Sequence, residues 1–321
     1  MNSKDTVAVA SRSFSKNDFL IARLQESYSN IHLNNSGQTL QGDDLIKFLK
    51  AADKAIIGIE EISNTVLDKL PNLKVISKYG VGLNNLNLNS LKAKGVKLGF
   101  TPGVNKQSVA ELAFTLALIS LKKIHSNHID ILQGQWPQEK GSELYKKNFG
   151  LVGFGNIGQK LASLIQPFQC EILFFDKKKY TKNEMSAICK EFHLNPRLVH
   201  QVTLSKILNQ SDILSIHLPL EDGTLNIIAS KQLNQLKKNV CIINTARGGI
   251  VNETDLFNFL SHNPNAFAAF DVYEEEPVLS NPLFDIPNFF GTSHRSSLTH
   301  EGINAMGMAA IKGLDDNITL K

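Results

Sequence analysis

The sequence predicts an α/β protein made of two doubly wound parallel-sheet domains. Three observations carry that expectation. Short apolar runs alternate with helix-like runs along nearly the whole chain. A glycine-rich run, Gly153-Phe154-Gly155-Asn156-Ile157-Gly158, lies between an apolar strand and a helical stretch. And 321 residues are enough for two domains of ordinary size.

In the first hundred residues, strands are expected at 6–10, 55–58, 73–77 and 97–100, and helices at 43–50, 64–69 and 87–94. Thr101-Pro102-Gly103 punctuates the chain. One long helix is expected from about 108 to 133, with Val109, Leu112, Ala113, Leu116, Ala117 and Ser120 sharing a face. At ~1.5 Å per residue it would be ~40 Å long and suited to bridging domains or subunits. Gly134, Trp136 and Pro137 end it. A second α/β unit is expected over 148–293, with strands at 149–152, 171–175, 212–217, 240–244 and 267–270, and helices including 231–237 and 253–261. A last helix, 299–316, has no strand partner of its own nearby and is expected to pack back on the first domain.

Composition narrows the function classes. Hydrophobic residues at 42% and charged residues at 20% describe a soluble globular protein. The net charge of +4, from 34 basic and 30 acidic residues, is too mild and too scattered for a nucleic-acid surface. The first residues are polar, so no signal peptide is expected. The longest apolar stretch, 109–121, contains Glu111 and is too short for a membrane span. Cys170, Cys189 and Cys241 are odd in number and lack C-x-x-C spacing, so reduced thiols in the cytoplasm are expected. His125 and His128 lack a third ligand, so no metal site is expected.

The glycine run is the strongest signal. Gly153 permits a tight strand-to-helix turn, Gly155 lets the backbone approach a pyrophosphate, and Gly158 lets the helix pack close to the strand. The diphosphate would sit on free N–H groups at the positive helix end, beside Asn156 and Ile157. A second apolar strand ends in Asp176, eighteen residues after Gly158. That acid would accept from both adenosine ribose hydroxyls, which favours NAD over NADP. Lys177, Lys178 and Lys179 leave a 2′-phosphate as the alternative.

Other strand ends carry candidate chemistry. Arg247, in Asn244-Thr245-Ala246-Arg247-Gly248-Gly249, suits a planar carboxylate through two charge-assisted bonds; the alternative is an ordinary loop arginine. Asp271 ends another strand, and Glu274, Glu275 and Glu276 follow; spacing alone does not choose among the three. His294 near a carboxylate would be a proton donor and acceptor in a cofactor cleft. His217, before Pro219, reads as lining the cofactor pocket. Lys78-Tyr79-Gly80-Val81-Gly82 reads equally as an anion-binding nest or a plain turn.

These motifs together resemble the D-isomer-specific 2-hydroxyacid dehydrogenase family. The matching segments are LKVISKYGVGLNNLNL, TPGVNKQSVAELAFTLAL, GQW, GLVGFGNIG, DILSIHLPLEDGT, INTARGGIVNETDL, AAFDVYEEEP and GTSHRSSLT, in family order from about 56 to 316. The resemblance implies a Rossmann NAD-binding domain at 102–294 and a discontinuous flavodoxin-like substrate domain at 1–101 and 295–321. It implies NAD as cofactor and a small anionic D-2-hydroxy or 2-oxo acid as substrate. It settles the glutamate: Glu276, directly before Pro277, pairs with His294. Arg247 would bind the substrate carboxylate and polarise the 2-oxo group. Val81 and Gly82 would offer N–H groups to the carboxylate, with Asn105, Ser108 and Val109 along the nicotinamide side. Asp271, with the carbonyl around Thr245, would hold the carboxamide. The expected cofactor set also includes His217, Pro219, Thr224 and Ala246. A homodimer through the 108–133 helix is expected.

Three positions depart from the family pattern: Asn84 where an acid is usual, Ser293 where proline is usual, and Arg295-Ser296-Ser297 after the histidine. Arg295 either meets a second anionic group of the substrate or packs on the last helix. Segment 57–85 looks most like the phosphoglycerate dehydrogenase branch, without its extra C-terminal regulatory domain. Hydroxypyruvate or glyoxylate reduction is the close second. A dinucleotide-sensing binding protein of the corepressor kind is the reading from another class.

Overall fold

The computed structural model describes residues 3–320. They form two compact units: one runs to Asn105 and resumes at Leu298, and the other spans Lys106–Ser297.

The first unit contains β1 (Ser3–Val9), α1 (Asp18–Gln25), β2 (Tyr28–Leu33), α2 (Gly42–Leu49), β3 (Lys54–Ile57), α3 (Asn64–Asp68), β4 (Val75–Lys78), α4 (Leu88–Ala93) and β5 (Lys97–Gly99). Its five strands are parallel, in the order β2-β1-β3-β4-β5. Period-two alternation divides the core. Ala8, Ile57 and Ile76 pack with Leu45 and Leu49 on one face, while Val7, Val9 and Ile56 pack with Leu20 and Leu24 on the other.

The second unit contains α5 (Lys106–Leu121), α6 (Ile124–Leu132), β6 (Asn148–Val152), α7 (Asn156–Ile165), β7 (Glu171–Phe175), α8 (Lys182–Glu191), β8 (Val199–Gln201), α9 (Leu204–Gln210), β9 (Ile213–Ile216), α10 (Ser230–Leu233), β10 (Cys241–Asn244), α11 (Glu253–His262), β11 (Phe267–Phe270) and β12 (Phe289–Gly291). Seven parallel strands run β12-β11-β10-β9-β6-β7-β8. Strand order reverses at β6 and β9, which opens a crevice at their carboxyl ends.

The last helix, α12 (His300–Gly313), belongs to the first unit. Ser77 Oγ donates to the Ala310 carbonyl at 2.6 Å. A Cβ on Gly99 would collide with the Gly313 backbone, so only glycine lets strand and helix approach this closely.

The expected single helix over 108–133 is two helices. Lys123 adopts left-handed dihedrals (φ 52°, ψ 34°) between α5 and α6. The reason lies twenty residues downstream: Ser142 N donates to the Leu121 carbonyl at 2.7 Å, taking the acceptor that the next helical turn would use. Two elements of the first unit escaped the sequence scan. α1 has a mixed surface, and β2 is a sheet-edge strand whose Ser29 and Asn30 are exposed. α8 and β8 escaped it in the second unit. The expected helix 231–237 is confined to α10. Among the described residues, no helix is long and apolar enough to cross a membrane.

Candidate active site

The end of β6 builds an anion-binding turn. Gly153 has φ +103°, and a Cβ there would lie 2.5 Å from the His217 carbonyl oxygen. A Cβ on Gly158 would strike the Gly153 carbonyl. Gly155, by contrast, faces open space and caps α7 with no side-chain acceptor. The first N–H groups of α7, at Asn156 and Ile157, therefore meet no cap, which suits a diphosphate. Asp176 stands beside this turn: Oδ2 accepts from Phe154 N at 2.9 Å and Oδ1 from Lys178 N at 2.9 Å. Lys177 pairs with Glu221 and Lys178 with Glu184, so two of the three lysines are directed to carboxylates.

The opposite wall comes from β9 and β10. His217 Nε2 meets Ser215 Oγ at 2.9 Å, and burial pushes its pKa down to about 3, so the ring is neutral. Its Nδ1 and the Thr245 hydroxyl are buried with no hydrogen-bond partner among the described residues, which suits a polar ligand. Thr224 Oγ1 donates to the Pro219 carbonyl at 2.6 Å and accepts from Glu221 N at 2.8 Å, folding the 219–224 loop. Ala246 is buried in the next turn. These features fit a dinucleotide.

Three charged side chains converge beyond β10, β11 and β12. Asn244 knots the turn after β10 by accepting from Ala246 N and donating to the Arg247 carbonyl. A Cβ on Gly248 would collide with Tyr273, so glycine there allows Arg247 its place. Burial lowers the Arg247 pKa and Glu276 opposes that. His294 Nδ1 lies 2.6 Å from Glu276 Oε2. That bond raises the His294 pKa despite partial burial, with smaller pushes from the charges of Glu276 and Asp271 and opposition from Arg247. Glu276 is disfavoured by burial, but bonds from His294 and from Tyr273 N carry its pKa below the ordinary value. Both shifts favour the imidazolium–carboxylate form of the pair.

Asp271 also has a role inside the chain. It is 0% exposed, and its oxygens take Thr292 Oγ1 at 2.6 Å and the N–H groups of Arg295 and Ser296 at 2.8 Å each. Buried and accepting three bonds, it braces the histidine loop. His294 has φ +49°, a left-handed conformation that costs about 1–3 kcal/mol. The bonds to Asp271 hold it there. Arg295 is exposed and forms no ion pair among the described residues.

In the first unit, Gly80 (φ +132°) turns the chain after β4. The N–H groups of Val81 and Gly82 have no acceptor within the chain among the described residues. Lys78 is buried and donates to the Gly58 carbonyl and to Asn85 Oδ1, while Glu60 accepts from Gly58 N at 2.7 Å. Sequence reading passed over this network, because its members are dispersed over 58–85. Asn105 is buried at the end of this stretch; Ser108 and Val109 are buried in the first turn of α5. Glu253, in the first turn of α11, and Asn281, on the segment bearing Glu276, also escaped the sequence.

A family model described as D-isomer specific 2-hydroxyacid dehydrogenase, NAD binding domain, matches residues 114–296. D-3-phosphoglycerate dehydrogenase of Methanocaldococcus jannaschii is 32% identical over 271 residues, 84% of this chain and 50% of that one, so the chain spans about half its length. Hydroxypyruvate reductase of Thermotoga maritima is 31% identical over 283 residues, 86% of this chain and 88% of that one. The crystal structure of D-lactate dehydrogenase from Aquifex aeolicus, complexed with NAD and lactic acid, shares the fold with a TM-score of 0.79 at 21% identity, covering 96% of this chain and 93% of that one.

Proposed function

The chain belongs to the D-isomer specific 2-hydroxyacid dehydrogenase family, and from that premise we propose that it interconverts a small D-2-hydroxy acid and its 2-oxo acid with NAD. The observation that carries the reading is the His294–Glu276 pair at 2.6 Å, near Arg247 and in the same unit as the open glycine turn.

When bound, NADH supplies a hydride to the carbonyl carbon of the substrate. Gly153, Gly155, Asn156, Ile157 and Gly158 would hold its diphosphate, Asp176 its adenosine ribose, and Ser108, His217, Pro219, Thr224, Thr245 and Ala246 the rest. Arg247 takes the substrate carboxylate in a forked pair of bonds and draws electron density from the 2-oxo group. Because Nδ1 of His294 is committed to Glu276, Nε2 is the atom that gives the proton in reduction and takes it in oxidation. Glu276 stays ionised and keeps that imidazole charged until the proton leaves.

The first candidate substrate is D-3-phosphoglycerate, with Arg295 meeting the phosphate; its exposed guanidinium, one residue from His294, supports this. Hydroxypyruvate is the second, supported by the Thermotoga relative. We propose a homodimer through α5 and α6, because α6 buries no residue and exposes Ile124, Ile131 and Leu132 at 53%, 45% and 70%. Three free, buried cysteines support a cytoplasmic setting.

The test is NADH oxidation, followed by absorbance, against phosphohydroxypyruvate, hydroxypyruvate, glyoxylate and pyruvate. Turnover of at least one acid, lost in Arg247→Ala, is expected. NADH binding without turnover of any would replace this reading with a dinucleotide-sensing protein.

A further inference from the structure

The pairing of Glu276 with His294 depends on where the segment 274–281 lies, and of its apolar side chains Val278 packs against the core. Glu274, Glu275, Glu276 and Pro277 are exposed, and Leu279 is 94% exposed. A groove of about 490 Å³ runs between the segment and the start of α11, lined by Glu253, Phe257, Glu274 and Val278 among others. Packing at Val278 leaves the two ends of the segment to be held in another way.

One side chain ties it down at both ends. Glu253, in the first turn of α11, accepts from Glu274 N through Oε1 at 2.6 Å and from Asn281 Nδ2 through Oε2 at 2.6 Å. Its own N–H donates to Glu274 Oε1 at 3.3 Å. Asn281 is fixed in turn, because its Oδ1 accepts from Leu283 N at 3.0 Å at the start of the 282–285 turn. Glu276 lies between the two anchored residues, with Oε1 on Tyr273 N and Oε2 on His294.

We propose that Glu253 is a positioning residue for the acid–base pair: by clamping residues 274 and 281 it sets the Glu276 carboxylate against His294. The inference rests on the reading of Glu276 and His294 given above. Glu253 touches no reacting atom; it acts through Glu276. The charged groups that act most on His294 are Glu276, Asp271 and Arg247, while Glu253 couples to Glu276. Losing the clamp thus changes the imidazole through Glu276's placement rather than through the field of Glu253 itself. Burial holds the Glu253 carboxyl above its ordinary pKa, opposed by its bonds to Glu274 and Asn281. The clamp's two charge-assisted bonds are of the stronger kind.

The experiment is an NMR titration of the full chain carrying isotope-labelled histidine, without cofactor. His294 is assigned among the 9 histidines by its loss in His294→Asn. Glu276→Gln is expected to lower the His294 midpoint most. Glu253→Ala is expected to lower it in the same direction. Asn281→Ala, which keeps the Glu253 charge and removes one tether, should lower it less. Combined with Glu276→Gln, Glu253→Ala should add nothing. Glu253→Asp and Asn281→Ala keep the test open if Glu253→Ala does not fold. In the cofactor-loaded enzyme, the alkaline fall of reductive kcat/KM should move to lower pH with the KM for NADH unchanged. A His294 midpoint unaltered in the folded Glu253 and Asn281 variants, while Glu276→Gln lowers it, overturns the clamp and leaves the pair intact. A midpoint unaltered in Glu276→Gln overturns the pair itself, and the clamp with it.

Discussion

The two units treat the carboxyl end of their first strand in opposite ways. After β1, side-chain acceptors fill the turn: Ser11 Oγ accepts from Phe14 N, and Asn17 caps α1 by accepting from Leu20 N at 3.2 Å. After β6 the turn is made of glycines, and the cap of α7 offers no acceptor. Both strands sit inside parallel sheets with helices on each face. The difference is what meets the first N–H groups of the following helix. A side-chain oxygen satisfies those donors internally; a bare glycine leaves them, with the positive end of the helix dipole, for an anion. The first unit keeps its free donors elsewhere, at Val81 and Gly82 after β4, where a buried lysine lies beneath the turn. One architecture thus yields a closed strand end and an open one, and the titratable pair gathers in the unit with the open end.

Substitutions can break this contrast in order of severity. His294→Asn removes the proton donor and should lower kcat about 10²–10⁴-fold. NADH affinity, read by fluorescence quenching, should stay near wild type; its loss would give His294 a structural role instead. Gly155→Asp makes the second unit resemble the first. The φ of −78° and open space at its Cβ admit the side chain, which would cap α7 and repel a diphosphate. Calorimetric NADH affinity should fall by about 10²-fold, since like charges in one site cost several kcal/mol, while Tm holds or rises. An unchanged affinity would move the diphosphate elsewhere.

Glu276→Gln acts on pH dependence. The carboxylate raises the His294 pKa, so its loss lowers it. Reduction needs the imidazolium, so kcat/KM for reduction should begin to fall at lower pH than in wild type. Oxidation needs the neutral ring, so its activity should persist to lower pH. A pH–rate profile in both directions checks the sign, and two unmoved profiles would exclude Glu276. The smallest effect belongs to the closed end: Asn17→Ala should cost about 1 kcal/mol of stability through the lost cap, seen as a lower Tm, with NADH affinity unaltered.

Much of this was legible in residue order because it is local. A strand, a Gly-x-Gly-x-x-Gly turn and a helix are contiguous, so the fingerprint at 153–158 and Asp176 could be read directly. Residue spacing left Glu274, Glu275 and Glu276 equivalent; the resemblance picked Glu276, and the bond to His294 at 2.6 Å distinguishes it in space. Asp271 could be placed at its strand end from residue order, but its intrachain partners could not. Its three donors come from a loop twenty residues later, and no periodicity reports such a contact. The break in the 108–133 helix has the same origin, since Ser142 captures the Leu121 carbonyl.

By itself, then, the sequence determined what repeats or adjoins along the chain: alternating apolar runs, the glycine turn, and the residue types fit to bind an anion or carry a proton. Tertiary structure alone decided what depends on distance between remote segments. It set that Asp271 braces a loop, that α5 stops at Leu121, and that Glu253 grips both ends of the segment holding Glu276. The physical reason is that propensity and periodicity act within a few residues, whereas hydrogen bonds and desolvation act between whatever atoms the packed core brings within about 3 Å.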